Sequence, residues 1–261
     1  LTFHNDRKTV SQRLRRIEPV IIGGEGYIGS ALKLQVPDDT VLYLAFMSNN
    51  DMCERNPDLA RRLNEDAFKR VLEESRGKFF IFASSVAAYG EAVDADEIDE
   101  LKPTTLYGQQ KKACEEALIE SDLDYTIVRS ASVCGVSPKM RYDLMVNRMV
   151  RDAARTGKIT VNGGEQERSH IHINDLCRFY AWLLENPQPR QILNVVCENQ
   201  KVIDTATLVA KTIGKTEIEV KPYTDNRSYT VSGEKLKSLG FECKSSIEDA
   251  IISVYLEQLY G

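Results

Sequence analysis

Residues 17–22 form an apolar run that flows into Gly23, Gly26 and Gly29, and a second apolar run opens at Val41, eleven positions after Ser30. The first part of this pattern is the layout of a buried strand turning sharply into a helix over a phosphate. Glycines permit the tight turn and the close backbone approach, and the start of the helix presents N–H groups to an anion. The second part constrains the fold more. A complete dinucleotide-binding unit has a second strand ending in an acidic residue about 20 residues after the glycines, and residues 31–40 leave no room for it. The spacing therefore predicts a nicotinamide nucleotide site that has lost part of the wall holding the adenosine. Residues 1–6, which end in Asp6, have the pattern of a substitute strand beside residues 17–22.

Charge and composition exclude several classes. A formal net charge of −5 argues against a nucleic-acid partner, which would need a basic face. The clusters Arg13-Leu14-Arg15-Arg16 and Arg61-Arg62 read as solvated helix faces. No apolar stretch approaches the roughly 18 residues of a membrane span, and the chain opens without the pattern of a secretory leader. A cytoplasmic protein with no membrane partner is expected. The cysteines Cys53, Cys114, Cys134, Cys177, Cys197 and Cys243 are scattered, and the histidines offer no zinc spacing with them. No metal site is expected, and the thiols read as buried or idle in a reducing compartment.

Apolar rather than alternating strands, separated by helical patterns, predict a parallel sheet covered on both faces. Strands are expected at 17–22, 41–46, 78–83 and 124–129, with helices over 27–34, 57–74 and 106–121. Beyond Gly135 the pattern becomes α+β, with helices over 140–156, 173–185, 202–213 and 246–259 and strands near 159–161, 192–196 and 217–222.

The chemistry concentrates on Tyr107 and Lys111. Positions i and i+4 share a helix face, so a phenol and an ammonium can enter one cleft. A free phenol titrates near 10; a neighbouring cation stabilises the phenolate and is expected to lower that value toward neutrality. The tyrosine can then exchange a proton with a substrate hydroxyl while hydride moves to or from a nicotinamide ring. With 11 tyrosines in the chain, this spacing alone arises readily by chance; a surface tyrosine on an amphipathic helix would look the same. The order of features carries the weight: glycine turn, apolar strand, a strand ending in Ser84-Ser85, then Tyr107 and Lys111. A serine at a strand's C-terminal end sits where ligands bind in open α/β sheets.

These residues resemble an extended short-chain dehydrogenase/reductase of the NAD-dependent nucleotide-sugar epimerase/dehydratase type. The likeness runs through Gly23-Gly24-Glu25-Gly26-Tyr27-Ile28-Gly29, Leu44-Ala45, residues 80–90, Tyr107-Gly108-Gln109-Gln110-Lys111, Arg129, Gly135, residues 168–175 and Arg227-Ser228-Tyr229. It implies that Ser85, Tyr107 and Lys111 are catalytic. Ser85 would bond the reacting oxygen, Tyr107 would be the acid/base, and Lys111 would hold the nicotinamide ribose. It further implies a cofactor, NAD or NADP, bound by Gly23, Gly26, Tyr27, Ile28, Gly29, Ala45, Tyr107 and Lys111. The substrate would be a nucleotide-sugar that meets Ser84, Ser132, Arg168 and Arg227, the arginines gripping its diphosphate with a planar fork, and the reaction would pass through a 4-keto-type intermediate. His172 and Asp175 would orient their loop and helix. A homodimer would pack through the Tyr107 helix and the one before it, with Leu63, Phe68, Val71, Ala113, Ala117 and Leu118 as candidates.

The implied fold class is α/β: a Rossmann-like doubly wound parallel sheet, reduced by its second and third strands, with a smaller α+β C-terminal substrate lobe. Residues 1–135, with contributions from about 173–197, would form the dinucleotide-binding domain, and 136–261 the substrate-binding lobe. The sequence departs from the family pattern at the missing strands, at Ser132 where an amide is usual, at Ile22, and at Glu25 inside the glycine turn, which is expected to point outward. The lost adenosine wall leaves an alternative from another class: a non-catalytic scaffold or nucleotide-sensing protein that keeps the fold.

Overall fold

A computed structural model describes residues 20–222 and 228–261; residues 1–19, including Asp6, and Arg227 lie outside the described residues. Five parallel strands form the main sheet, in the spatial order Val20–Ile22, Thr40–Tyr43, Phe79–Ser85, Asp124–Ser130 and Gln191–Val195. Ile22 stands opposite Tyr43, Tyr43 opposite Phe82, and Ser85 opposite Ser130. This order follows the chain, which is the half of a doubly wound sheet that begins at its first strand. The first two strands pair directly, so the reduced sheet expected from the spacing is the one observed. Among the described residues, no strand pairs with the outer edge of Val20–Ile22.

The strands are apolar throughout because both faces are covered. Successive side chains point to opposite faces, so Val41, Tyr43, Phe80, Phe82 and Ile127 meet Phe68, Cys114 and Leu118 on one side. Leu42, Ile81, Ala83, Val128 and Leu193 meet Tyr27, Phe179, Tyr180 and Leu183 on the other. The first side is an aromatic cluster, with the Phe68 ring 4.7 Å from Phe82 and edge-on to Tyr43 at 5.0 Å. Phe68 and Leu118 are therefore core residues and unavailable to a dimer interface, whereas Leu63 is 48% exposed.

After Ser130 the chain leaves the sheet and returns to it at Gln191. The excursion supplies Ser132–Cys134 and Glu167–His172 to a small mixed sheet that Glu198–Lys201, just past the last strand of the main sheet, completes. A second core forms where the helices Met145–Thr156, Val202–Ile213 and Ile247–Tyr260 bury Met149, Val150, Val209, Ile251 and Val254. Two more pairs, Lys158–Asn162 with Glu217–Lys221 and Ala92–Ala95 with Tyr229–Val231, tie distant segments together.

Several expectations change. The helix expected over 57–74 is interrupted by a π-helical turn at Arg62–Asp66. Such a turn re-aims one side chain, here the buried Asn64, which accepts from the Met47 N–H (2.6 Å) and donates to the Met47 carbonyl (3.1 Å) and to Gln110 Oε1 (2.7 Å). The strand expected over 41–46 stops at Tyr43, and residues 44–46 turn out of the sheet to form a cavity rim. The helix expected over 140–156 begins at Met145.

The cysteines are not all idle: Cys197 and Cys243 form a disulfide, 46 residues apart in the chain. A disulfide is at odds with the reducing setting expected from spacing alone. The Asp175 carboxylate lies close to both sulfurs but accepts the Lys244 and Ser245 N–H groups and the Arg178 guanidinium, so it clasps the loop that bears Cys243. Among the described residues, no helix is long and apolar enough to cross a membrane.

Candidate active site

Three local devices set the site. In the glycine turn, Gly23 has a φ of +90°, and a Cβ there would stand 2.6 Å from the amide nitrogen of Ala45. Only glycine lets the turn lie against the rim residues 44–46. The Gly26 N–H donates to the Gly23 carbonyl (3.1 Å), and the helix Tyr27–Ala31 starts there. Tyr27 anchors the turn to the following segment: its hydroxyl donates to the Gly135 carbonyl (2.7 Å) and accepts from Asn147 Nδ2 (3.2 Å).

The second device is the end of the Phe79–Ser85 strand, where the Ser85 hydroxyl accepts the Ala87 N–H (3.2 Å) and caps a short 3₁₀ turn. The third is the helix Leu106–Ile119, whose first turn is capped by Thr105 accepting the Gly108 N–H (3.1 Å). A Cβ on Gly108 would lie 2.6 Å from the Ala87 carbonyl oxygen. That close approach lets the helix dock on the turn after Ser85 and brings Tyr107 to the cavity that Ser85 lines.

Ser85, Tyr107 and Lys111 consequently line one cavity of about 390 Å³ together with Gly23, Gly26, Tyr27, Ile28, Gly29 and Ala45. Ser84 and Ser132 line it as well. Arg168 lines an adjoining cavity of about 190 Å³, and Asn50, Ala87 and Tyr229 border both. Its guanidinium lies 4.9 Å over the Tyr229 ring and donates to the Glu167 carbonyl (2.8 Å). Ser132 pairs in register with His170, which is buried and, among the described residues, has no hydrogen-bond partner on either ring nitrogen. Burial pushes the His170 imidazole down to about 4.

The electrostatics differ from the expectation that Lys111 would acidify Tyr107. Tyr107 is half-buried, yet the protein packed around it pushes the phenol up to about 12, against the lowering effects of Ser85 and Arg141. Lys111 is 3% exposed, and burial pushes its ammonium down to about 7. Its Nζ donates to the Ala83 carbonyl (2.6 Å) and lies 3.6 Å from the centre of the Phe46 ring. Phe46 also meets Tyr107 edge-on at 5.7 Å. Sequence reasoning placed Phe46 only at the end of a strand and did not single out Arg141 or Ser48, which line the same cavity.

The Ser84 hydroxyl donates to Glu115 and so joins a buried network at the cavity wall. Arg129 joins Glu115 through Nε and Nη2 (2.8 Å at the closest) and donates from Nη1 to Tyr89 Oη (2.8 Å) and the Glu97 carbonyl (3.2 Å). Glu115 and Arg129 are both almost fully enclosed. The network locks the Tyr107 helix to the strand that ends in Ser85. His172 and Asp175 serve the backbone: His172 Nδ1 accepts the Asn174 N–H (3.0 Å) at the start of helix Ile173–Glu185.

A family profile, described as the NAD dependent epimerase/dehydratase family, matches residues 33–195. The chain belongs to that family. The match begins just past the glycine turn and ends at the last strand of the main sheet. Among solved structures, RMD from Pseudomonas aeruginosa complexed with NADPH superposes with a TM-score of 0.81 over 92% of this chain and 97% of that one, at 18% identity. The UDP-glucose 4-epimerase of Thermus thermophilus, complexed with NAD, gives 0.81 over 93% and 99%, at 19% identity. These likenesses show a shared fold. The beta subunit of methionine adenosyltransferase 2 from Bos taurus is 26% identical over 148 residues, which is 56% of this chain and 44% of that protein. The chain thus matches less than half the length of that relative.

Two predictions follow from how this epimerase/dehydratase-family site is built. Removing one partner of a buried ion pair leaves an uncompensated charge and costs about 3–5 kcal/mol, whereas apolar replacement of both is often close to neutral. Glu115→Ala should therefore lower the urea-derived stability by about that amount, and Glu115→Leu combined with Arg129→Met should recover most of it; equal losses in both would contradict the network. The second prediction concerns Lys111. Its folded value of about 7 lies below the ordinary 10.5, so between these values the unfolded chain binds more protons. Its contribution to stability rises with pH across that window and is lost as the pH falls through it. The stability of Lys111→Met minus that of the wild type should shrink as pH rises from 7 to 10; a difference that does not vary with pH would show that the ammonium is not buried.

Proposed function

We propose that the protein binds NAD or NADP in the cavity between Gly26 and Tyr107 and acts on a nucleotide-sugar as an oxidoreductase, epimerase or dehydratase. The observation that carries this reading is convergence. A glycine turn forms one wall of a cavity whose other wall presents a hydroxyl, a phenol and an ammonium. The volume suits a small-molecule site, and among its described lining residues there is no carboxylate to repel a pyrophosphate. The family description and the NADPH and NAD complexes of the structural neighbours support the same cofactor class.

When bound, the nicotinamide supplies the acceptor or donor of a hydride. The chain's own groups handle the proton and the pose. Ser85 holds the reacting sugar oxygen beside Tyr107. Because burial raises the phenol, Tyr107 enters the reaction protonated, ready to donate from its oxygen. Acting as the base requires the phenolate to be stabilised, a task for Ser85, Arg141 and the Lys111 ammonium. Lys111 takes the nicotinamide ribose. Arg168 and Arg227 hold the sugar diphosphate and Ser132 faces the sugar, while Ser84 supports Ser85 through Glu115. Self-association as a homodimer would draw on exposed Met52 and Leu63.

A second reading, a non-catalytic nucleotide-sensing protein, is favoured by one observation: among the described residues, no strand pairs with the outer edge of the Val20–Ile22 strand, where an adenosine wall would stand. Thermal denaturation with NAD, NADP and their reduced forms separates the two, since a ligand at 100 times its Kd stabilises by about 2.7 kcal/mol. The expected result is a rise in Tm with at least one of them, kept in Tyr107→Phe while turnover of a UDP-hexose falls at least ~100-fold. Turnover retained in Tyr107→Phe removes the acid/base role, and no rise with any of the four favours the second reading.

A further inference from the structure

The cavity has two cationic side chains among its described lining residues, Lys111 and Arg141. Lys111 is committed to the Ala83 carbonyl and the Phe46 ring. Arg141 comes from the loop that precedes the helix Met145–Thr156 and borders both the main cavity and an apolar groove of about 600 Å³ that includes Phe46, Met47 and Met52. It is held rigidly. Asp143 accepts from Nε (3.0 Å) and Nη2 (2.5 Å), Nη1 donates to the Ser48 hydroxyl, and Asn49 Nδ2 donates to Asp143 (3.0 Å). A guanidinium carries five N–H groups in a fixed fork, and these contacts use three. Arg141 is also close enough to interact electrostatically with both Tyr27 at the glycine turn and Tyr107 across the cavity.

The glycine turn is followed by a helix of only five residues, Tyr27–Ala31. A helix that short has little macrodipole with which to offset a pyrophosphate, and the Gly26 N–H is already used inside the turn. A dianion in this cavity therefore needs a side-chain cation, and the planar fork of arginine suits phosphate oxygens. Arg168 lines the adjoining cavity rather than this one. Resting on the cofactor reading above, we infer that Arg141 holds the pyrophosphate of the dinucleotide against the glycine turn, supplying a cationic anchor from the loop before Met145–Thr156.

Titrations of NADH, ADP-ribose and UDP into the wild type, Arg141→Gln and Arg141→Lys, followed by calorimetry, test this. The wild type should bind NADH and ADP-ribose, and Arg141→Gln should weaken both to a similar degree, by ~10-fold or more, because both carry the pyrophosphate. UDP binding should change less than about twofold. Arg141→Lys, which keeps the charge but not the fork, should give a smaller loss in both, and it decides the matter if Arg141→Gln shows no cooperative unfolding. Unchanged NADH and ADP-ribose affinity in the variants, or a loss confined to UDP, would overturn the inference while leaving the cofactor site standing. Failure of the wild type to bind NADH at all would remove the cofactor reading and this inference together.

Discussion

The helix bearing Tyr107 and Lys111 is held to the sheet by one buried ion pair, Glu115 with Arg129, and the site's geometry depends on it. Glu115 lies one helical turn beyond Lys111, so its carboxylate shares that face of the helix. It takes the Arg129 fork from one strand and the Ser84 hydroxyl from the next. Two strands and a helix are thereby fixed in register at the level where Ser85 leaves the sheet. Such a pair contributes little net stability once desolvation is counted. What it supplies is discrimination, since any sliding of the helix would strand a charge in the interior.

Burial, which makes that pair unforgiving, also governs Tyr107 and Lys111. Proximity in sequence suggests that an ammonium will acidify the phenol four residues away. In the folded protein desolvation by burial dominates both, raising Tyr107 and lowering Lys111. Phe46 packs against both: its ring lies over the ammonium and meets the phenol edge-on. The loop that carries Phe46 is in turn fixed by Asn64, which is aimed inward by the π-helical turn. A short segment of irregular helix is thus tied through one amide to the protonation of the groups in the cavity.

Much of this could be read from the chain. Apolar runs with helical patterns between them predicted the parallel sheet, and the helices Ile173–Glu185 and Val202–Ile213 fall where the periodicity places them. The ten residues between Ser30 and Val41 anticipated the direct pairing of the first two strands. The misses have physical reasons. Strands of three or four residues such as Ser132–Cys134 and Tyr229–Val231 carry too few positions to show a period. The disulfide joins segments brought together only by the fold. Arg141 and Ser48 lie in loops without a motif, and the glutamate that takes up Ser84 is 31 residues away from it.

The central claim is that the space between the glycine turn and Tyr107 is a nicotinamide dinucleotide site. A crystal structure of the protein grown with NADH tests it most directly. The nicotinamide end should lie inside the cavity lined by Gly26, Ser85 and Tyr107, with the ribose on Lys111. NADH bound elsewhere on the protein, or a cavity filled by the chain's own side chains, would contradict it.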